Sequence, residues 1–288
     1  MKRLSGCLMA VMLLMGVGAA PALAATYFIY DQYGGTWHDA NKTAANTEDD
    51  LMCWAATASN ILAWGGWGTA AYNTSDQIFK HFQDHWTDNV GYISWGWAWW
   101  FNGFNPEYRY ISYIDVPGGG NFYPHLNLND YYASASGPNV MADIANLLRL
   151  GKGVGLVISN NMSSSHAVTA WGFGYSADGL YTSIFFTDSD DGLTALREYS
   201  LIWQNDGWYL KEKLDAYGGY SLNGWKISYV QALGYFSIAE AADNNSIDIA
   251  ASVAPVPLAP SWVFFGMGVG ALFLLVRRRL NQQNSWRA

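Results

Sequence analysis

Two apolar segments, one at each end of the chain, restrict the folded domain to the residues between them. Residues 1–24 begin with Lys2 and Arg3, continue into an apolar run and end in small residues, an order typical of a secretory signal. Residues 262–276 are all apolar or glycine, and three arginines follow directly at 277–279. The sequence therefore predicts an exported domain held at the membrane by a C-terminal span whose arginines remain in the cytoplasm.

This arrangement divides the chain into five regions with one domain and no repeat of fixed period. Residues 240–260 are rich in Ala, Asn, Asp and Pro, which favours a flexible spacer over a packed unit. We therefore predict a signal peptide at 1–24, a domain at 25–239, a spacer at 240–260, a transmembrane or sorting segment at 261–279 and a cytoplasmic tail at 280–288. The domain would lie outside the cytoplasm, anchored to the membrane or released at the cell surface.

The exported part is strongly acidic and holds a single thiol. It contains all 23 acidic residues and nine of the 15 basic ones, a net charge of −14. Such a surface repels phosphate backbones, which argues against nucleic acid as a partner. Because Cys7 leaves with the signal, only Cys53 remains and no internal disulfide is possible. An unpaired thiol in an oxidising compartment is either buried and inert or kept for its reactivity.

The sequence around Cys53 predicts a helix that begins at this residue. Acidic residues at 49 and 50 precede it, the segment 53–64 is rich in alanine, and Gly65 and Gly66 follow. A cysteine in the first turn of a helix faces unpaired backbone N–H groups and the positive end of the helix dipole. Both effects favour the thiolate.

The remaining segments predict an α+β domain with a helix packed on an antiparallel sheet. His166 would open the first strand of a hairpin and Asp188 would follow its second strand, side by side as a cysteine–histidine–carboxylate triad requires. A structural histidine and an acidic turn that binds calcium remain alternatives. The predicted elements are a helix at 138–150, strands at 153–159 and 232–238, and hairpins at 166–175 with 180–187 and 198–203 with 208–211.

Several blocks resemble, in order, segments of the immunoglobulin-degrading IdeS/Mac cysteine endopeptidases. The nucleophile block contains KT at 42–43, DDLMC at 49–53 and AATA at 55–58, and the later blocks contain HAV at 166–168, TDSD at 187–190 and LGYF at 233–236. The resemblance implies a papain-like fold with the nucleophile at a helix N-terminus, and peptide-bond hydrolysis without cofactor or metal. It does not extend to the aromatic stretch between Gly65 and Pro138, so it does not imply cleavage of immunoglobulin.

Carried over residue by residue, the resemblance implies five site residues. Cys53 would be the nucleophile, His166 the base and Asp188 the carboxylate that orients the histidine. Asp190 would correspond to a second supporting aspartate. Lys42 would help the backbone N–H of the nucleophile to stabilise the oxyanion, although a solvated surface lysine is an alternative.

The C-terminal end resembles a PEP-CTERM sorting signal. The sequence VPLAP at 256–260 precedes the apolar span and the arginines. The resemblance implies processing by an exosortase-type sorting enzyme in a bacterium that produces exopolysaccharide. An ordinary membrane anchor is the alternative.

Two rival functions follow from other residues. The aromatic residues of segment 95–110, which lies within the aromatic-rich stretch 92–113, could stack on sugars in a non-catalytic module that binds glycan or exopolysaccharide, although such residues are also ordinary core material. His81 and His85 are spaced i, i+4 and could share a metal ion, but Phe82 stands where the zincin motif requires glutamate.

Overall fold

The computed structural model describes residues 24–43, 48–103, 114, 116, 118–160, 164–212 and 222–236. The predicted spacer, C-terminal span and cytoplasmic tail lie outside these residues, as does the predicted signal apart from residue 24. Within the described ranges, no helix is both long enough and apolar enough to cross a membrane.

The described part of the chain forms eight strands, five α-helices and one short 3-10 helix at Leu128–Asp130. The strands are β1 (Ala25–Phe28), β2 (Tyr132–Ser136), β3 (Lys152–Ser159), β4 (Ser165–Tyr175), β5 (Tyr181–Thr187), β6 (Arg197–Gln204), β7 (Gly207–Glu212) and β8 (Lys226–Gly234). The helices are α1 (Ile29–Tyr33), α2 (Cys53–Trp64), α3 (Ser75–Gln83), α4 (Ile93–Asn102) and α5 (Val140–Arg149). The structure confirms the predicted helices at α2 and α5, the strand β3 and both hairpins. The last strand begins at Lys226 rather than at 232, and the sequence did not predict β1, β2, α1, α3 or α4.

Six of the strands form a closed antiparallel barrel in the order β3, β4, β5, β6, β7 and β8, with β8 returning to β3. Each barrel strand pairs along both edges, and β4 and β8 each pair with a third strand as well. β4 pairs with β3 and with β5, while β8 pairs with β3 and with β7. The outer strands β1 and β2 extend this sheet by pairing with β4 and β8.

The predicted papain-like fold, an α+β arrangement with the nucleophile helix on an antiparallel sheet, is wrong for this chain. The sheet is a closed six-stranded barrel accompanied by few helices. Each hairpin was predicted from local alternation, but that pattern does not reveal that β4 also pairs with β3 or that β8 joins β3 to β7. Register shifts in β4 near Gly172 and Gly174 provide the local irregularity that a curved, closing sheet requires.

The helix α2 packs closely on one face of β3. A methyl group added at Gly153 would lie 2.8 Å from Ile61 Cγ2, and one added at Gly155 would lie 2.6 Å from Ile93 Cδ1. Both distances are too short for carbon atoms, so glycine lets α2 and α4 approach the strand. The alternate residues Val154, Leu156 and Ile158 belong to a second core cluster that includes the buried face of α5. The helix α2 therefore covers one face of β3, the strand next to β4.

Candidate active site

Cys53 is the first residue of α2 and is partly exposed. The preceding residue, Met52, is buried, and its carbonyl oxygen accepts the N–H groups of Ala55 and Ala56. The acidic residues at 49 and 50 precede the helix but do not cap it. Asp49 instead accepts the backbone N–H of Thr43, and no side chain caps the helix at Met52. The Cys53 thiol therefore lies at a helix start whose first N–H groups have no intrahelical partner.

The hairpin of β4 and β5 brings His166 and Asp188 into direct contact. His166 is the second residue of β4, and Asp188 directly follows β5. Pairing of Thr169 with Thr187 fixes the two strands in register here. The imidazole Nε2 lies 2.6 Å from Asp188 Oδ1, and both side chains are buried. Since Nε2 contacts the carboxylate, Nδ1 is the nitrogen left for the thiol.

The Cys53 thiol and the His166 imidazole lie close enough for each to shift the pKa of the other. Burial by itself raises the pKa of the Cys53 thiol, but the hydrogen bond and charge of His166, the N–H of Ala167 and the charge of Lys42 outweigh it and hold the pKa below its ordinary value. Burial by itself lowers the pKa of His166, but its bonds to Asp188 and Cys53 raise it well above the ordinary value. These opposite shifts are those of a thiolate–imidazolium pair.

Asp188 is fully buried, and its ionised form is supported by its neighbours. Burial raises its pKa, but the hydrogen bond and charge of His166, the backbone N–H of Asp190 and the charge of Arg197 lower it to a net value below the ordinary one. Its Oδ1 accepts both His166 Nε2 and the Asp190 N–H, the latter at 3.0 Å. The carboxylate therefore fixes the orientation of the imidazole ring.

Lys42 and Asp190 form an ion pair at the edge of this arrangement. Lys42 Nζ lies 2.6 Å from Asp190 Oδ1 and also donates to the carbonyl oxygen of Asp50. The lysine side chain is 11% exposed, so it is not a solvated surface lysine. Asp190 Oδ2 lies 3.7 Å from His166 Nδ1. All five residues predicted from the sequence are thus brought together, with the Lys42 ammonium held by two oxygen atoms near the thiol.

Three further ionisable residues, Asp39, Asp191 and Arg197, lie behind Asp188 and were not predicted as part of the site. The Asp191 and Arg197 side chains form a buried ion pair. Burial raises the pKa of Asp39 to about 8, with further increases from the charges of Asp191 and Asp188. One sequence signal could have revealed Arg197. Arg197 is the first residue of β6, and its side chain lies on the same face of the strand as that of Tyr199 two residues later. Because that face is apolar, a charged side chain on it needs a buried partner of opposite charge.

The site's geometry fits hydrogen bonding rather than metal binding. Among the described residues, His166, Asp188 and Asp190 offer ligand atoms within 4.8 Å of one another. Two ligands about 2.1 Å from one tetrahedral zinc ion lie about 3.4 Å apart. The His166–Asp188 separation of 2.6 Å is shorter than this, and Lys42 already neutralises Asp190.

The residues behind the two rival functions lie in an aromatic core. His81 Nε2 bonds to the Gly119 carbonyl oxygen and His85 Nδ1 to that of His81, so each ring has one nitrogen engaged by backbone. In α4 the larger aromatic side chains are buried, and the later aromatic residues of the segment 95–110 lie outside the described residues. The buried ones are Trp97, Trp99, Trp100 and Phe101. Buried rings cannot stack on a sugar, which weakens the glycan-binding hypothesis.

No protein-family model matches this chain, and a comparison with curated proteins found no significant match. The resemblance to the IdeS/Mac endopeptidases and to a PEP-CTERM tail therefore stays a prediction. What can be said of function rests on the geometry around Cys53.

Proposed function

We propose that this chain is an exported, surface-tethered cysteine endopeptidase that uses Cys53, His166 and Asp188. The observation that carries the proposal is the buried hydrogen bond between Asp188 and His166 at 2.6 Å beside the thiol of Cys53, with opposite pKa shifts on the histidine and the cysteine. A thiolate stabilised in this way is a nucleophile at neutral pH, because an ordinary thiol with a pKa of about 8.5 is mostly protonated there.

The reaction proceeds through an acyl-enzyme. The Cys53 thiolate attacks the peptide carbonyl carbon, and the imidazolium of His166 gives its proton to the leaving amine as the C–N bond breaks. Neutral His166 then takes a proton from water, whose oxygen attacks the thioester and releases the acid and the thiolate. Backbone N–H groups at the start of α2, with the ammonium group of Lys42 nearby, supply positive potential for the oxyanion.

The surface beside Cys53 fits a polypeptide substrate with apolar side chains. Leu51, Val90 and Tyr92, which we call the apolar rim, are exposed. The rim lies at the start of α2, since the Leu51 N–H donates to Asp88 Oδ1 at 2.6 Å and Trp54 Nε1 to the Asn89 carbonyl oxygen at 3.0 Å. The acidic domain disfavours polyanionic substrates.

The proposal is tested by the pH dependence of Cys53 alkylation with iodoacetamide, followed by mass spectrometry of the labelled peptide so that Cys7 does not interfere. We expect labelling to persist well below pH 7 in the native protein and to move to about pH 8.5 in His166→Ala. His125→Ala, which removes an exposed histidine, is the matched control and should behave like the native protein. Identical curves for the native protein and His166→Ala would overturn the proposal.

Peptide hydrolysis is the second measurement. Cys53→Ala should abolish the cleavage of an unfolded protein substrate, and full activity of this variant would contradict the assignment of the nucleophile. Retention on exopolysaccharide that does not require Cys53 would favour the non-catalytic glycan-binding function instead.

The tether is proposed from the sequence at both ends. We expect mature protein from the cell envelope to begin at Ala25 and to lack the cytoplasmic arginines if an exosortase-type enzyme processes the tail. Intact-mass measurement of the protein from its host distinguishes this outcome from a permanent anchor, which retains residues 277–279. Protein that keeps Met1 and remains in the cytoplasm would contradict export.

A further inference from the structure

The buried ion pair of Asp191 and Arg197 lies directly beneath the turn that carries the site carboxylates. Arg197 opens β6 and pairs in register with Phe186, the penultimate residue of β5, so it lies two positions from Asp188 across the hairpin. Its side chain is 1% exposed, and the Asp191 side chain is fully buried. The guanidinium also donates to the Tyr199 hydroxyl at 3.4 Å, and Tyr199 stacks on Phe186 with 4.9 Å between ring centroids.

The turn from Asp188 to Asp191 is held at several points. The Asp190 N–H donates to Asp188 Oδ1, and the Ser189 carbonyl oxygen accepts the Lys42 N–H at 3.0 Å. The Asp191 carboxylate accepts the Leu193 N–H at 2.7 Å and faces Arg197. The ion pair therefore fixes the end of the turn opposite to Lys42.

Asp188 lies among two cationic side chains and three other carboxyl groups. Its neighbours are His166 on β4, Arg197 on β6, Asp39 from the segment before Lys42, and Asp190 and Asp191 on its own turn. Asp188 Oδ2 is buried and has no hydrogen-bond partner among the described residues. Several carboxyl groups thus converge on Asp188, and the cations beside it among the described residues are His166 on β4 and Arg197 on β6.

We propose that Asp191 and Arg197 are positioning residues, a buried ion pair that holds the Asp188 turn and keeps Asp188 aligned with His166. The inference rests on the proposed thiolate–imidazolium pair and deepens it, since the two residues act on Cys53 only through Asp188 and His166. Neither residue touches the substrate.

The test compares alkylation profiles of the full-length protein and the double variant Asp191→Asn with Arg197→Met. Changing both partners avoids leaving a single unpaired buried charge, which destabilises proteins more than loss of the pair. We expect the acid midpoint of Cys53 alkylation to rise by about one pH unit, which is about tenfold less thiolate at any pH well below the midpoint. If this variant does not fold, Asp191→Asn with Arg197→Gln, which keeps a neutral hydrogen-bonding pair, is measured against the same criterion.

Ile144→Ala is the control for a purely structural effect, because Ile144 is fully buried in α5 and has no charge. It should lower the melting temperature and leave the alkylation midpoint unchanged. A folded double variant with the native midpoint would overturn the positioning role. Failure of the proposed function is distinguishable, since in that case the native protein itself would show a midpoint near pH 8.5.

Discussion

Two histidines of this protein are almost equally buried but have opposite acid–base properties. His81 is 6% exposed and His166 is 5% exposed. The His81 ring stacks on Tyr72 at 4.1 Å, and Nε2 bonds to the Gly119 carbonyl oxygen. Burial lowers the pKa of His81, and the carbonyl oxygen and the charge of Asp84 do not compensate for it. His166 has the same burial, but Asp188 and Cys53 raise its pKa well above the ordinary value.

The comparison shows that partners, and not burial, decide which histidine can serve as a base. A buried imidazole without a carboxylate stays neutral, since desolvation disfavours the charged form. A carboxylate on one nitrogen and a thiolate on the other reverse this preference. The aromatic core around His81 therefore excludes charge, while the barrel edge around His166 concentrates it.

Removing the carboxylate partner should convert His166 into a histidine like His81. We expect Asp188→Asn to lower kcat by about 10³- to 10⁴-fold, because an amide neither stabilises the imidazolium nor fixes its orientation. The alkylation midpoint of Cys53 should rise toward that of His166→Ala. Asp178→Asn, on an exposed turn, is the control. If kcat is unchanged in Asp188→Asn, the carboxylate partner is not what makes His166, unlike His81, able to act as a base.

Asp39 extends the comparison to a carboxyl group buried without sufficient positive charge. Its folded pKa is raised to about 8, so the folded state keeps a proton that the unfolded state loses above about pH 4. This group therefore destabilises the fold as pH rises from about 4 to 8. Asp39→Asn should raise the free energy of unfolding at pH 7, by no more than about 4 kcal/mol, and have little effect at pH 4.

Denaturant unfolding at pH 4 and pH 7 measures this difference. Asp143→Asn on α5, which is not among the groups near Asp39, is the matched substitution. Equal changes for Asp39→Asn at both pH values would show that Asp39 is not protonated in the folded state at neutral pH.

The apolar rim allows substrate binding to be separated from the acid–base pair. Tyr92→Ala should raise KM about fivefold, corresponding to about 1 kcal/mol of lost contact, and leave kcat nearly unchanged. Small alkylating reagents do not need the rim, so the alkylation profile should stay native. Leu180→Ala, an exposed apolar residue on the hairpin turn, is the control. A change in the alkylation midpoint of Tyr92→Ala would show that the rim supports the pair itself.

The smallest effect is expected at His81. Because its folded pKa is lowered, its contribution to stability is present above the unfolded pKa of about 6.5 and is lost as pH falls below it. His81→Phe should therefore make the decrease in melting temperature from pH 7 to pH 5 shallower, and should change the alkylation rate by less than about twofold. A larger effect on the alkylation rate would show that His81 influences the reactivity of Cys53.

The sequence predicts the local parts of this site better than its surroundings. Cys53 at a helix start and His166 beside Asp188 follow from alternation and from punctuation by glycine, because these signals are encoded within a few neighbouring residues. The helix α3 could also have been predicted, since Thr74 and Gln77 form a capping box. Acidic residues 49 and 50 precede α2 as the start signal predicts, but neither caps it; Asp49 instead accepts hydrogen bonds from Thr43 and Gln83.

Local sequence patterns could not predict the closure of the barrel or the buried charged residues behind Asp188. Closure depends on which edges of β4 and β8 remain available after hairpin pairing, and this is decided by contacts distant in sequence. Likewise, Arg197 gains its partner only when β6 lies beside β5 and the turn folds over it. A charge in a predicted strand is most simply read as solvent-facing until the fold supplies its partner.

The far end of the nucleophile helix is fastened to the last strand. Trp67 Nε1 donates to the Gly234 carbonyl oxygen at 2.7 Å, and the Phe236 N–H donates to that of Gly65, also at 2.7 Å. These bonds join residues about 170 positions apart, and the barrel closes only when β8 pairs with β3. During synthesis, Cys53 emerges long before β8. We therefore expect the nascent chain to carry an ordinary, unreactive thiol, and the pairing of Cys53 with His166 to form only after the whole domain has been synthesised.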